Sequence, residues 1–292
     1  MIVLLLLIAH LVADFWLQTD AMVKNKTKNL KKHMLHHFMT TGLALIFFNW
    51  GDSPYLTGFI GYFLLPLVFI VMTHFVIDLL KLKILDTIKA TDGNSLKKLW
   101  FFLIDQILHI MMLLIACILF FKLQATMIIT SLLQLFSENH SISIVNTLLL
   151  MIILFIFATS VSGHIVKLAV GSLPSDFANF EGEFTLRHQL KETNSSYQPK
   201  RESNFTEQYH YLTYSNPLPS RGRIIGYIER LLVISLTMVG AYSSIAFIIA
   251  AKSIARFKQL DDRNWAEYFL LGTLISIFLG LMLGLLAKEI LM

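Results

Sequence analysis

Residues 58–80 read GFIGYFLLPLVFIVMTHFVIDLL, an apolar run into which only His74 and Asp78 bring a base and an acid. As a helix it would be about 34 Å long, enough to cross a hydrocarbon core of about 30 Å. The whole chain has the same character. Of its 292 residues 55% are hydrophobic and 15% charged, and its mean hydropathy is +0.65, whereas soluble domains are about a quarter charged. That composition excludes disorder, collagen, a coiled coil and an ordinary globular enzyme with an aqueous surface. It predicts an all-α, polytopic transmembrane helical bundle.

Seven runs carry this signal: Ile2–Leu17, His36–Trp50, Gly58–Leu80, Leu99–Phe121, Ile144–Val170, Ile224–Ala250 and Ala266–Ala287. The second is short for a span. The first lacks the basic start and small-residue cleavage site of a signal peptide, and His10 and Asp14 interrupt it, so it is expected to be a retained helix. Ala125–Phe136 is too short to span and is expected to lie at the interface. Four regions follow: a four-helix domain (1–122), an interfacial segment with the fifth helix (123–170), a polar loop (171–223) and a C-terminal pair of membrane helices (224–292).

Lysines set the expected orientation. Lys24, Lys26, Lys28, Lys31 and Lys32 fill the first connection, and Lys81, Lys83, Lys89, Lys97 and Lys98 surround the third. The second connection has no Lys or Arg, and the fourth has only Lys122. By the positive-inside rule the N-terminus lies outside and the first and third connections lie in the cytoplasm. Lys252, Arg256, Lys258 and Arg263 break the alternation, so either a late segment is re-entrant or the rule fails there. The net charge of +5 is explained by these flanking lysines, and no nucleic-acid partner is expected. Between Gly171 and Arg223 the chain turns polar, with short strands or disorder expected around Tyr209–Tyr214. Cys117, the single cysteine, lies in an apolar run and supports neither a disulfide framework nor a cysteine metal motif.

The sharpest signal is three acid–histidine pairs inside apolar helices: His10 with Asp14, His74 with Asp78, and Asp105 with His109. A spacing of four puts both side chains on one helical face, one turn apart. In the expected topology the first and third helices run inward and read His then Asp. The fourth runs outward and reads Asp then His. All three aspartates therefore share the cytoplasmic side, with the histidines one turn, about 5.4 Å, deeper. His36 and His37 open the second helix at the same end, though only one of two adjacent residues can face inward; His33 is expected to be solvated. Gln18 and Gln106 adjoin the same faces.

An ionisable residue at membrane depth costs roughly 2.5–3.5 kcal/mol on insertion scales and by default marks function. A lone Asp–His pair most often glues helices together; three in one depth register point to a site. No lysine or arginine is expected in these helix interiors to neutralise the carboxylates. They must then be protonated, hydrogen-bonded to histidine or bound to a cation. His10, Asp14, His36, His37, His74, Asp78, Asp105 and His109 form the candidate ligand set for a divalent metal, zinc foremost and manganese or ferrous iron as alternatives. Asp14, Asp78 and Asp105 are the candidate catalytic carboxylates. A metal-free proton relay is the competing reading. Glu229, Arg230 and Glu267 are expected to form a boundary ion-pair network with Lys252 and Arg256, and His164 and Lys167 to be interfacial.

The stretches HLVADFWLQTDAMVKNK (10–26), HFVIDLLK (74–81) and FFLIDQILH (101–109) resemble the bacterial domain-of-unknown-function family DUF3307 over about residues 1–122. GRIIGYIERLLV (222–233) and AAKSIARFKQLDDRNWAEYFLLGTLIS (250–276) look like the C-terminal half of longer members. The resemblance implies a multi-pass protein of the bacterial inner (plasma) membrane and supports the choice of His10, Asp14, His74, Asp78, Asp105 and His109. It brings no established activity.

Three functions compete. A metal-dependent hydrolase would act on a lipid or lipid-linked substrate at the cytoplasmic face, with membrane lipids as partners and an oligomer of identical chains left open. A divalent-cation transporter or channel is suggested by carboxylate–imidazole pairs like those of cation-diffusion-facilitator carriers. Against it, the outer halves of the first, third and fourth helices are almost purely apolar. A non-enzymatic sensor or scaffold would use the histidines as titrating or metal-binding groups.

Overall fold

The computed structural model describes residues 1–19, 22–23, 25–49, 56–88, 95–134, 142–171, 221–257, 260 and 263–291, and within these it is helical throughout. Helix α1 (Ile2–Leu11) runs into a π-helical turn, Val12–Trp16. Helix α2 spans Lys26–Phe48. A single turn (Leu56–Phe59) and a π-turn (Ile60–Leu64) lead into α3 (Leu65–Ile88). Next come α4 (Ser95–Phe121) and α5 (Ala125–Gln134). Helices α6 (Ile144–Ile156) and α7 (Ser162–Val170) are joined through a third π-turn, Phe157–Val161. The C-terminal helices are α8 (Arg221–Met238), α9 (Tyr242–Ala255) and α10 (Arg263–Leu291). The expected strands near Tyr209–Tyr214 lie outside the described residues.

Local chemistry explains the breaks. Pro66 has no N–H to give to the Tyr62 carbonyl one turn back, and the chain there adopts the wider turn. The Asn49 Nδ2 donates to that carbonyl instead, at 3.1 Å. Helix α4 stops at Lys122, whose φ is 53°, and the Leu123 N–H closes back on the Cys117 carbonyl at 3.4 Å. That stop separates the short, largely exposed α5 from the bundle.

Among the described residues, four helical stretches are long and apolar enough to cross a membrane: Ile60–Leu85, Leu96–Phe121, Ile144–Val170 and Trp265–Leu291. Ile2–Trp16 and Tyr242–Ala255 are shorter apolar helices. The expected sixth span is corrected. Ile224–Ala250 is not one helix, because Gly240 (φ 72°) ends α8 and turns the chain back. Lys252 on α9 meets Glu229 on α8 at 2.7 Å, so the two helices form an antiparallel hairpin. The Arg256 guanidinium then lies 5.5 Å over the Trp265 ring at the start of α10.

This hairpin removes the charge anomaly. Helix α8 runs antiparallel to α6–α7, since Arg230 meets Ala158 and Thr159 while Tyr227 lies beside Gly163. It runs parallel to α10, where Arg230 meets Ser276 and Val233 lies against Gly280. The end of α1 and the start of α4 join the same level through His164, which packs on Phe15 and Phe102. Lys252, Arg256 and Arg263 are therefore at the same end of the bundle as Lys81, Lys97 and Lys98.

Arg230 is buried (3% exposed), lies 5.6 Å over the Tyr227 ring, and donates hydrogen bonds to neutral oxygens. Its Nε donates to the Ala158 carbonyl at 2.5 Å, Nη2 to the Thr159 carbonyl at 3.2 Å and Nη1 to the Ser276 hydroxyl at 3.1 Å. The π-turn supplies those carbonyls, and the planar guanidinium suits a fan of acceptors as an ammonium does not. The expected network thus holds for Glu229 with Lys252 but not for Arg230. Glu267 pairs instead with Arg263 at 2.9 Å, where both are exposed and contribute little.

Close packing of α8 on α10 depends on missing side chains: a Cβ at Gly284 would stand 2.7 Å from the Thr237 Cβ. Gly284→Val is expected to cost about 1–3 kcal/mol by overpacking and to lower the unfolding temperature in detergent. Gly42→Ala, with nothing within 4 Å of the added carbon, should leave stability unchanged or raise it slightly. Equal unfolding temperatures for the two variants would refute the α8–α10 contact.

Candidate metal centre

Helices α1 to α4 each place two polar side chains, four residues apart, toward their common axis. Asp14 sits in the π-turn that ends α1, where the Leu17 N–H reaches back five residues to the Val12 carbonyl at 3.0 Å. Such turns recur at functional sites. Helix α2 contributes His33 and His37, α3 His74 and Asp78, and α4 Asp105 and His109. Neighbouring helices run in opposite directions, so the residues fall into two layers. One holds His10, His37, His74 and His109; the other, nearer the lysine-rich end, holds Asp14, His33, Asp78 and Asp105.

Asp14 is the hub. Its Oδ1 lies 2.9 Å from His37 Nε2, 3.3 Å from His33 Nε2 and 3.8 Å from His74 Nε2. Its Oδ2 lies 3.7 Å from His10 Nε2 and accepts from Gln106 Nε2 at 3.2 Å. Asp78 Oδ2 stands 3.5 Å from His33 Nε2 and 3.7 Å from His74 Nε2. His33 and His74 approach each other to 3.3 Å between Nε2 atoms. The His109 Nδ1–H donates to the Asp105 carbonyl at 2.8 Å, which fixes the ring and leaves Nε2 as the lone-pair nitrogen. That Nε2 is buried with no hydrogen-bond partner among the described residues. A small cavity opens between His10, His37, His74 and His109, and Thr41 and Thr73 line it on the far side.

Of the eight residues expected to form the site, the structure brings His10, Asp14, His37, His74, Asp78, Asp105 and His109 together and leaves His36 half-buried outside the cluster. His33 corrects the expectation of a solvated residue: it is 2% exposed and within 3.5 Å of both Asp14 and Asp78. The signal was present, since His33 and His37 have the same spacing of four as the other pairs. Lys81 is a second correction. Its ammonium meets Asp105 Oδ2 at 2.6 Å with only 22% of its side chain exposed, so one carboxylate is neutralised by a lysine after all. Gln106 joins the two ends of the cluster, reaching Asp14 at 3.2 Å and Asp105 at 3.4 Å. His164 stands outside it, among aromatic rings.

Three groups have donor atoms all within 4.8 Å of one another: His10, Asp14, His37 and His74; His33, His74 and Asp78; and Asp78, Asp105 and His109. Imidazole with carboxylate in such numbers is the donor chemistry of zinc, manganese or ferrous iron.

Residues 2–143 match the family described as "Protein of unknown function (DUF3307)". The match takes in every helix of the cluster and continues through α5. No curated protein and no solved structure matches the chain.

The Lys81–Asp105 contact can be measured directly. A double-mutant cycle of Lys81→Met and Asp105→Asn, followed by thermal unfolding in chelator, should give a coupling of about 1–3 kcal/mol, the range of a charge-assisted hydrogen bond. Additive effects would place the two groups apart.

Proposed function

We propose that the chain is an intramembrane metalloprotein whose Asp14-centred cluster binds a divalent cation, zinc foremost, for hydrolysis of a lipid or lipid-linked substrate at the cytoplasmic face. The observation that carries the reading is the convergence of four Nε2 atoms, from His10, His33, His37 and His74, on the Asp14 carboxylate in an otherwise apolar bundle. Among the described residues five histidines and three aspartates share the cluster, and Lys81 engages Asp105. A divalent ion in this position would offset negative charge and take lone pairs of His10, His37 and His74. Such an ion supplies Lewis acidity and activates water near neutral pH. The shallow aspartates beyond Asp14 provide the proton acceptor this chemistry needs.

One-sided access supports catalysis over transport. Ile2, Leu6, Leu45, Leu67, Ile70, Leu113, Ala116 and Cys117 form a closed apolar core in the far half of the same four helices. A carrier would have to open that plug. At the other end stand the basic residues of α3, α4, α9 and α10, the charge distribution of a cytoplasmic face with affinity for anionic headgroups. The bacterial inner membrane is the location we assign on this basis.

Elemental analysis of detergent-purified protein should find about one or two zinc, manganese or iron per chain. Asp14→Ala and His37→Ala should lower the affinity for added ZnCl₂ by about tenfold or more, and His36→Ala should leave it unchanged. Water-soluble products released from phosphatidylglycerol–phosphatidylethanolamine vesicles, followed by mass spectrometry, test the hydrolysis. Full metal occupancy in Asp14→Ala would overturn the site. Bound metal without turnover would overturn the hydrolase and favour a sensor.

A further inference from the structure

The structure assigns a second divalent-cation position to Asp78, Asp105 and His109, one that Lys81 fills with its own charge until a metal displaces it. The inference rests on the metal reading of the Asp14 cluster and adds a second ion with a built-in competitor.

The three residues are 1%, 5% and 3% exposed, and their donor atoms lie within 4.8 Å of one another. Carboxylates at this depth require positive charge. Lys81 provides it on one side only: its Nζ meets Asp105 Oδ2 at 2.6 Å, while Asp105 Oδ1 is buried with no hydrogen-bond partner among the described residues. His109 shows the same incompleteness. Its Nδ1–H is committed to a backbone carbonyl, and its Nε2 is buried without a hydrogen-bond partner. Asp105 Oδ1 and His109 Nε2, both buried and both without a hydrogen-bond donor among the described residues, are atoms a cation would use and the ammonium held at Oδ2 leaves open.

Lys81 is suited to leave. It lies three residues beyond Asp78 toward the basic end of α3, its side chain is partly exposed, and its stem is flexible with a strongly hydrated head. Swinging outward exchanges one protein contact for water. The two positions share no ligand, and the His33–His74–Asp78 group links them. His74 serves both the Asp14 group and the His33–Asp78 group, and Asp78 serves that group and the Asp105–His109 group.

Calorimetric titration of chelator-stripped, full-length protein in detergent with ZnCl₂ and with MnCl₂ tests this. Wild type should show two binding events, the second weaker. Lys81→Met should tighten the second by about tenfold or more and leave the first within about twofold. Lys81→Gln keeps a donor against Asp105 without the charge and must move the second event in the same direction, which covers a poorly folded Lys81→Met. Lys81→Arg keeps the charge and should keep the second event weak. Asp105→Asn should abolish the second event and spare the first. A single event in both wild type and Lys81→Met, an unchanged second affinity, or a second event that survives Asp105→Asn would overturn the inference. No event at all in wild type would instead overturn the metal reading beneath it.

Discussion

Burying polar side chains where there is no water to solvate them is the constraint on which the N-terminal half depends. Each of helices α1 to α4 carries two such groups, and each group must find a partner on another helix or in its own preceding turn. Asp14 meets this need by touching residues of α2, α3 and α4 at once. A slip of any of these helices by one turn toward the far end would push a histidine of the deep layer toward the apolar core of Leu6, Leu45, Leu67 and Leu113, at a cost of several kcal/mol. The polar layers therefore set the register, and the leucines fill the space which that register leaves.

The C-terminal half bears on the same cluster through two π-turns. Trp16, at the end of the turn that holds Asp14, donates its indole N–H to the Ser160 hydroxyl at 3.1 Å. Ser160 belongs to the π-turn Phe157–Val161, whose carbonyls at Ala158 and Thr159 are taken by Arg230 of α8. Arg230 is held in turn by Ser276 of α10. The π-turn Phe157–Val161 offers carbonyls that a regular helix would satisfy, and Arg230 supplies the donors. A continuous set of contacts thus runs from α10 to the segment that positions Asp14.

Much of this was legible in the sequence because spacing and polarity report on faces and depth. The pairs His10–Asp14, His74–Asp78 and Asp105–His109 were found from the helical period, and the lysine-rich connections located the end of the bundle to which the aspartates belong. His33 was missed because Lys31 and Lys32 flank it, and a charged neighbourhood reads as solvent. The helical period was the better guide, since it pairs His33 with His37. Lys81 was missed for a related reason: it follows the apolar stretch, and nothing local shows that its stem folds back to Asp105. The break at Gly240 was hidden because apolar residues continue on both sides, and hydropathy does not record a change of direction. Only the surplus of lysine and arginine beyond Ala250 gave a sign of it.

The two ends of the four-helix bundle are chemically unlike, and that asymmetry narrows what the cluster can do. A carrier needs ligands that a cation can leave in either direction. Here the deep layer of histidines is followed by Thr41 and Thr73 and then by the apolar core. The Thr73 hydroxyl is turned to the Phe69 and Ile70 carbonyls of its own helix at 2.8 Å and 3.0 Å, so it extends no polar path outward. On the near side Lys81 stands at the edge of the cluster, and the basic residues of α9 and α10 come to the same level through the Gly240 hairpin. A cation or an anionic headgroup approaching from that side meets donors and charge, while one approaching from the other meets leucine and isoleucine. On the metal reading proposed above, a centre built this way would retain its ion and work on a substrate that arrives from one face.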